Sequence, residues 1–451
     1  MQESGSVKAM TNDGTNRPAA VAVKAPPKQA GEIHDRWWWV EQTVWTTRML
    51  IRLAQSELQT KWFALWDKVW AEANLLHAFY AVWRNDGAPG VDGQTIAQFD
   101  AQHREQLAKL REELRTGSYR PQPARRVWIP KPGTQEQRPL GIPAVRDRVV
   151  ETALRNVLEP IFELDFAETS YGFRPGRSCQ QAVARVEALL GAGHIWCVDA
   201  DLKSYFDTIP HDRLMALLEQ RVVDGNVLRL VEQYLKAGVM EGLNGWQPTE
   251  RGTPQGAVIS PLLANIYLNP LDHAVAQRGW VMVRYADDFV VLCRSQAEAQ
   301  AVLEYLRTWT SQAGLTLHPL KTRVVNASTE GFDFLGWTFR GGQKWPRKKS
   351  LQKLQDKLRL LTQRTNGLCL GAIIAQANPV LRGWRAYFHD SHPSGLRSPD
   401  GWLRRRLRAM LRKREKRPGY GLSKADSQRW PNRWFAEQGL YSLLAGSCAY
   451  D

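Results

Sequence analysis

The segment VRYADDFVVLC (residues 283–293) sets two adjacent carboxylates, Asp287 and Asp288, in an otherwise apolar run. Burying one charge is costly, and burying two side by side costs more unless a cation lies between them. The apolar flanks predict short strands at 281–285 and 289–293, joined by a tight turn at Ala286, Asp287 and Asp288. Aspartate also favours hairpin turns for a local reason, because its side chain bonds nearby backbone N–H groups. A second stretch, IWCVDADLKSYFD (195–207), shifts the balance: another apolar strand, predicted over 195–200, brings Asp199 and Asp201 to its end. Two strands that deliver carboxylates to one sheet end predict an oxygen-ligand site for a hard divalent cation. Mg²⁺ keeps several waters and takes one or two carboxylates plus substrate phosphates, so three aspartates suit a pair of ions shared with a nucleotide. Such a pair, about 3.5–4 Å apart, stabilises both the attacking 3′-hydroxyl and the leaving pyrophosphate. The expected chemistry is nucleotidyl transfer with two Mg²⁺ ions, Mn²⁺ being the expected substitute.

The rest of the chain has room for a large enzyme. Its 451 residues, 43% apolar, predict two to four domains. Residues 1–35 are polar and aperiodic and are expected to be a disordered tail. Residues 36–118 form a helical N-terminal extension in which Trp62, Leu65, Trp66, Val69 and Trp70 recur at helical spacing. The loop NDGAPGVDG (85–93) separates that stripe from a second helix expected over 96–115. Residues 119–340 open on a proline-rich hairpin and then alternate helices (147–163, 178–190, 210–221, 226–237, 260–273, 295–312) with short strands, the last being FLGWTF at 334–339. Residues 341–451 read as helical, with Leu351, Leu354, Leu358 and Leu361 as a stripe.

Charge is concentrated in that last region. Residues 340–420 hold 21 Lys and Arg against 4 Asp and Glu, a net of +17 where the whole chain has +16. A patch of that kind fits a polyanion, with nucleic acid ahead of an acidic membrane surface. The five cysteines are scattered with no C-x-x-C pair, which excludes a zinc ribbon and suits free thiols in a reducing compartment. No stretch of 18 uncharged apolar residues and no signal-peptide core is present, so the expected location is cytoplasmic.

The ordered blocks IPKPG, RPLGIP, SYGFRPGRSCQQAV, DADLKSYFD, GTPQGAVISPLLANIYL, YADD, GLTLHPLKT, FDFLGWTF and LRGWRAYF resemble those of group II intron-encoded reverse transcriptases, from about Trp62 to Tyr441. The resemblance implies an α+β right-hand polymerase, with fingers and a palm built on a small antiparallel sheet, followed by an α-helical thumb and maturase region. It implies Asp201 and Asp287 as principal metal ligands assisted by Asp288. Lys131 and Arg138, Gln255 and Lys321 are expected at the incoming dNTP. Phe206 is expected under its sugar, where an aromatic ring leaves no room for a 2′-hydroxyl, although an ordinary core phenylalanine would satisfy the same spacing. Asp199 reads as a surface or supporting acid and Asp207 as a helix-entry cap. Ser260-Pro261 read as an N-cap and first-turn pair.

In GWLRRRLRAMLRKREKR (401–417), Leu403, Leu407, Met410 and Leu411 are expected on one helix face. Arg404, Arg405, Arg408 and Arg412, with Lys413, are expected on an RNA-binding face. The partners implied are an RNA template (the chain's own intron RNA), a DNA primer or target, and dNTPs, with no membrane and no zinc endonuclease domain. Three competing readings stay open: a domesticated, intron-free reverse transcriptase in repair or phage defence; an RNA-binding splicing factor with an idle polymerase, against which the intact Asp201, Asp287 and Asp288 set argues; and a DNA-templated polymerase, which the family blocks disfavour.

Overall fold

The computed structural model describes residues 30–57, 59–130, 137–242 and 245–444. The N-terminal part contains α1 (Ala30–Arg36), α2 (Thr47–Gln55), α3 (Trp66–Val69), α4 (Glu72–Asn85), α5 (Ile96–Ala101) and α6 (His103–Thr116). Helix α1 starts inside the segment expected to be a tail, because Ile33 and then Trp37 bury their side chains in the main core. Helical spacing from Trp62 to Trp70 does not give one helix. Trp62 instead makes a parallel bridge with Val222, and Ala64 is left-handed at φ 55°. The Asp224 carboxylate accepts from the backbone N–H groups of Leu65 and Trp66 at 2.8 and 2.9 Å, which fixes where α3 begins. The helix expected over 96–115 breaks at Gln102, after a capping box between Thr95 and Gln98 has started α5. The 85–93 loop is a loop as expected, closed by left-handed Asp86 (φ 41°) and held by Arg125, which donates to Pro89 O at 2.7 and 3.0 Å.

Next come β1 (Ala124–Pro130), β2 (Gln137–Ile142), α7 (Val145–Glu163), α8 (Cys179–Gly191), β3 (Trp196–Asp201), α9 (Tyr205–Thr208), α10 (His211–Glu219), α11 (Gly225–Lys236), β4 (Val239–Glu241), β5 (Gly245–Gln247), α12 (Ser260–Gln277), β6 (Val281–Tyr285), β7 (Asp288–Cys293), α13 (Gln296–Gln312) and β8 (Arg323–Asn326). Two four-stranded sheets result. The first, in order β2-β1-β4-β5, contains the antiparallel hairpin expected at the proline-rich segment. The second, in order β6-β7-β3-β8, is antiparallel throughout and packed by α12 and α13, whose buried apolar residues share one core with it, and by α8 through a second cluster. Its central strands are buried on both faces, which is why they read as continuous apolar runs rather than as alternation.

The chain closes with β9 (Phe332–Phe334), β10 (Trp337–Arg340), β11 (Gln343–Pro346), α14 (Lys348–Leu361), α15 (Leu370–Tyr387), α16 (Pro393–Arg414), α17 (Lys424–Arg429) and α18 (Asn432–Glu437). FLGWTF is not one strand. Leu335 and Gly336, at φ 46° and 86°, form a two-residue turn between Phe334 and Trp337, and the flanks pair as an antiparallel hairpin. Helices α14 to α16 share a separate core with Trp430 and Phe435. That core also corrects the expected face of α16. Arg404 is fully buried on Asp400, one turn earlier, and Arg408 is buried with Nε 2.8 Å from Trp430 O. Arg412 pairs with Asp426 at 2.6 Å. These three arginines fasten α16 to itself and to the α17 segment, leaving Arg405 and Lys413 exposed. No helix among the described residues is long and apolar enough to cross a membrane.

Candidate active site

Strand register builds the site. Asp201, the last residue of β3, faces Asp288, the first of β7, and Tyr285 of β6 faces Asp288 from the other side. Ala286 and Asp287 are therefore the two turn residues. Ala286 has φ 59°, and Asp287 is not left-handed, the pattern of a type II′ hairpin turn. Glycine is the usual first residue there, so alanine is held against some strain. The restraint comes from SYGFRPG. Tyr171 N–H donates to Arg284 O at 2.8 Å, Arg284 N–H donates to Thr169 O at 2.9 Å, and a Cβ on Gly172 would stand 2.2 Å from Ala286 N. Only glycine allows the backbone this close.

The cation inside the apolar run is Arg284. It is fully buried, and its Nε donates to Asp272 at 2.8 and 3.1 Å. Its remaining nitrogens donate to Asp272, to Asn265 Oδ1 at 2.9 Å and to Ala286 O at 2.9 Å. Asn265 and Asp272, seven apart on α12, present one face to β6. The guanidinium thus grips the turn that carries Asp287. Sequence reasoning missed this set. The signal was present as a lone arginine within VMVRY, where an unpaired charge would be intolerable.

The carboxylates crowd one another. Burial, with Asp199, Asp287 and Asp201 nearby, pushes Asp288 up to about 7. Burial and then Asp201 raise Asp287, against the pull of Arg138 and Arg284. Burial also raises Asp199 to about 6, opposed by Arg323 at 3.5 Å. Such a cluster favours a bound cation, which would lower all of these at once. Among the described residues no group of three or more His, Cys, Asp or Glu is arranged as a ready-made cage for a metal. The donor set is hard oxygen on adjacent strand ends, and it fits an ion that completes its shell with water and substrate phosphate.

Lys321 reaches this cluster, with Nζ 2.7 Å from Asp201 Oδ2. The segment before it runs along the end of β3, where His318 N–H donates to Asp201 O at 2.7 Å. Arg138, on β2, is close enough to act on Asp287, whereas Lys131 lies outside the described residues. Phe206 and Gln255 are brought together by backbone: Thr253 N–H donates to Phe206 O at 2.7 Å and Gly252 N–H to Ile209 O at 2.8 Å. Gln255 O in turn accepts from Gly141 N–H at 2.6 Å, tying this loop to β2. Asp207 is not a helix cap. It lies within α9, Pro210 precedes α10, and Gln255 Nε2 stands 3.5 Å from the Asp207 carboxylate. Ser260 is likewise the first residue of α12 rather than its cap, and its hydroxyl donates to Pro254 O at 2.9 Å.

Comparison with known proteins bears on the same residues. The family signature "Reverse transcriptase (RNA-dependent DNA polymerase)" matches residues 129–339, and "Group II intron, maturase-specific domain" matches 351–430. Protein YkfC of Escherichia coli is 38% identical over 288 residues, which are 55% of this chain and 74% of that protein. The group II intron-encoded protein LtrA of Lactococcus lactis is 40% identical over 204 residues, 44% of this chain. The 91 kDa protein in the cob intron of Schizosaccharomyces pombe is 27% identical over 390 residues, 68% of this chain. The matched stretches span 33% of LtrA and 47% of the yeast protein.

Proposed function

The chain belongs to the group II intron-encoded reverse transcriptases, and we propose that it copies RNA into DNA at the turn shared by Asp201, Asp287 and Asp288. The observation that carries the reading is the register that sets Asp201 opposite Asp288 beside the strained Ala286-Asp287 turn. Asp201 and Asp287 would hold two Mg²⁺ ions, with Asp288 assisting, and those ions would supply positive charge to the attacking 3′-hydroxyl and the leaving pyrophosphate. Lys321 and Arg138 would meet the triphosphate. In support, Lys321 already neutralises Asp201, and Arg138 acts on Asp287 from β2. Phe206 would underlie the deoxyribose, and Gln255 would sit beside it through the Thr253 hydrogen bond. The +17 charge of residues 340–420 supports RNA binding by the C-terminal helices, and hence help in splicing and mobility of an intron RNA.

Asp287→Asn tests the reading. The change keeps shape and hydrogen bonding but removes one negative ligand, so primer extension on an RNA template in Mg²⁺ is expected to vanish while RNA affinity persists. Extension by the purified variant at near wild-type rate would overturn the assignment.

A further inference from the structure

Once Arg404, Arg408 and Arg412 are assigned to the core and its ion pairs, the RNA-binding face of the C-terminal helices has to lie elsewhere. A cavity of about 590 Å³ opens between the α14–α15 turn, α16 and the chain after α16. Its walls include Thr362, Arg364, Trp402, Arg405, Arg406 and Tyr420, and no carboxylate lines it. Neighbouring arginines have acids: Arg359 pairs with Asp356, Arg429 with Glu415. Among the described residues, the three in the cleft do not. Arg406 donates to Thr362 Oγ1 at 2.8 Å and lies over the Trp402 ring at 5.3 Å. Arg364 donates to Gly419 O at 3.0 Å and lies over the Tyr420 ring at 4.9 Å. Arg405 is exposed and makes no ion pair among the described residues. Tyr420 is 70% exposed. With Arg364 over the ring, that exposure still leaves ring surface for a planar partner.

Guanidinium groups without acids, set beside an exposed aromatic ring in a nucleotide-sized hollow, match what an unstacked base and its phosphates require. An uninterrupted duplex would present phosphates but no free base face. We propose that this cleft binds an unpaired nucleotide of a structured RNA, its base stacked on Tyr420 and its flanking phosphates paired with Arg405 and Arg406. The proposal rests on the reading that the C-terminal helices bind RNA.

The test uses the full chain and two RNA hairpins with the same stem, one fully paired and one with a single bulged 2-aminopurine. Wild type is expected to bind the bulged hairpin roughly tenfold or more tightly than the paired one, the scale of one stacked base, and to quench the 2-aminopurine. Tyr420→Ala is expected to lose that preference and the quenching while binding the paired hairpin as before. Arg405→Gln is expected to weaken binding to both hairpins and to lower the slope of log K against log salt by about 0.7–0.9. Both variants are expected to keep the wild-type circular-dichroism spectrum and a cooperative thermal transition, which shows that they fold. If wild type binds hairpins but Tyr420→Ala keeps both the preference and the quenching, the cleft proposal is overturned and general RNA binding stands. If wild type binds neither hairpin yet binds anionic vesicles through Arg405, both are overturned.

Discussion

Phe206 is half-buried, with its ring edge-on to Tyr205 at 5.6 Å and its carbonyl bound to Thr253. That placement explains why spacing alone left a core role open: the residue packs against the core and still belongs to the backbone unit that carries Gln255. Replacing the ring by valine opens space under the sugar without removing a hydrogen bond, so discrimination should fall through loss of a clash. Phe206→Val is therefore expected to reduce the ratio of kcat/KM for dNTP over rNTP by roughly tenfold or more. An unchanged ratio would leave Phe206 a packing residue. The same scale shows what was legible. Asp201, Asp287 and Asp288 stood out because acids interrupt apolar runs, and Lys321 could be placed only through its motif. Arg404 and Arg408 misled because a helical wheel of arginines looks solvated until a specific acid, Asp400, or carbonyl, Trp430 O, takes the charge inside.

At the scale of elements, the β6–β7 hairpin depends on partners distant in sequence. Arg284 connects the turn to α12 through Asp272 and Asn265, while Gly172 allows the approach of the preceding loop. Asp272→Asn would leave a buried guanidinium short of its counter-charge, and breaking such a pair costs about 3–5 kcal/mol. The expected outcome is a clearly lowered thermal midpoint and a fall in kcat for primer extension, because the Asp287 turn loses its grip. RNA affinity of the protein that remains folded should hold. A midpoint within a degree of wild type would show that the Arg284 network is not a structural tie. Strands β3, β6 and β7 of the second sheet were legible from their apolar runs, but β8 was missed, the stripe from Trp62 to Trp70 was not one helix, and FLGWTF was not one strand. In both, apolar periodicity was right about burial and silent about the left-handed residues, Ala64 and Leu335, that turn the chain.

Across the whole molecule, α7 is tied to the start of α12 by its buried Glu151. The Glu151 carboxyl accepts the backbone N–H of Val258, just before α12, and burial outweighs that bond in pushing it up to about 8. The unfolded chain releases this proton near the ordinary glutamate value of about 4.3. Between those points the native state holds a proton that the unfolded state has lost. The contribution of Glu151 is then complete at acid pH and disappears as pH rises through about 8. Glutamine keeps the acceptor for Val258 and cannot ionise. Glu151→Gln should match wild type in thermal midpoint near about pH 4 and exceed it increasingly toward about pH 8.5. Asp147, raised to about 6, and Glu159, raised to about 7, titrate in the same window, so the informative quantity is the variant-minus-wild-type difference, in which they largely cancel. A difference that stays flat across the range would mean that Glu151 is already ionised in the native protein, held as a carboxylate by the N–H groups that lead into α12.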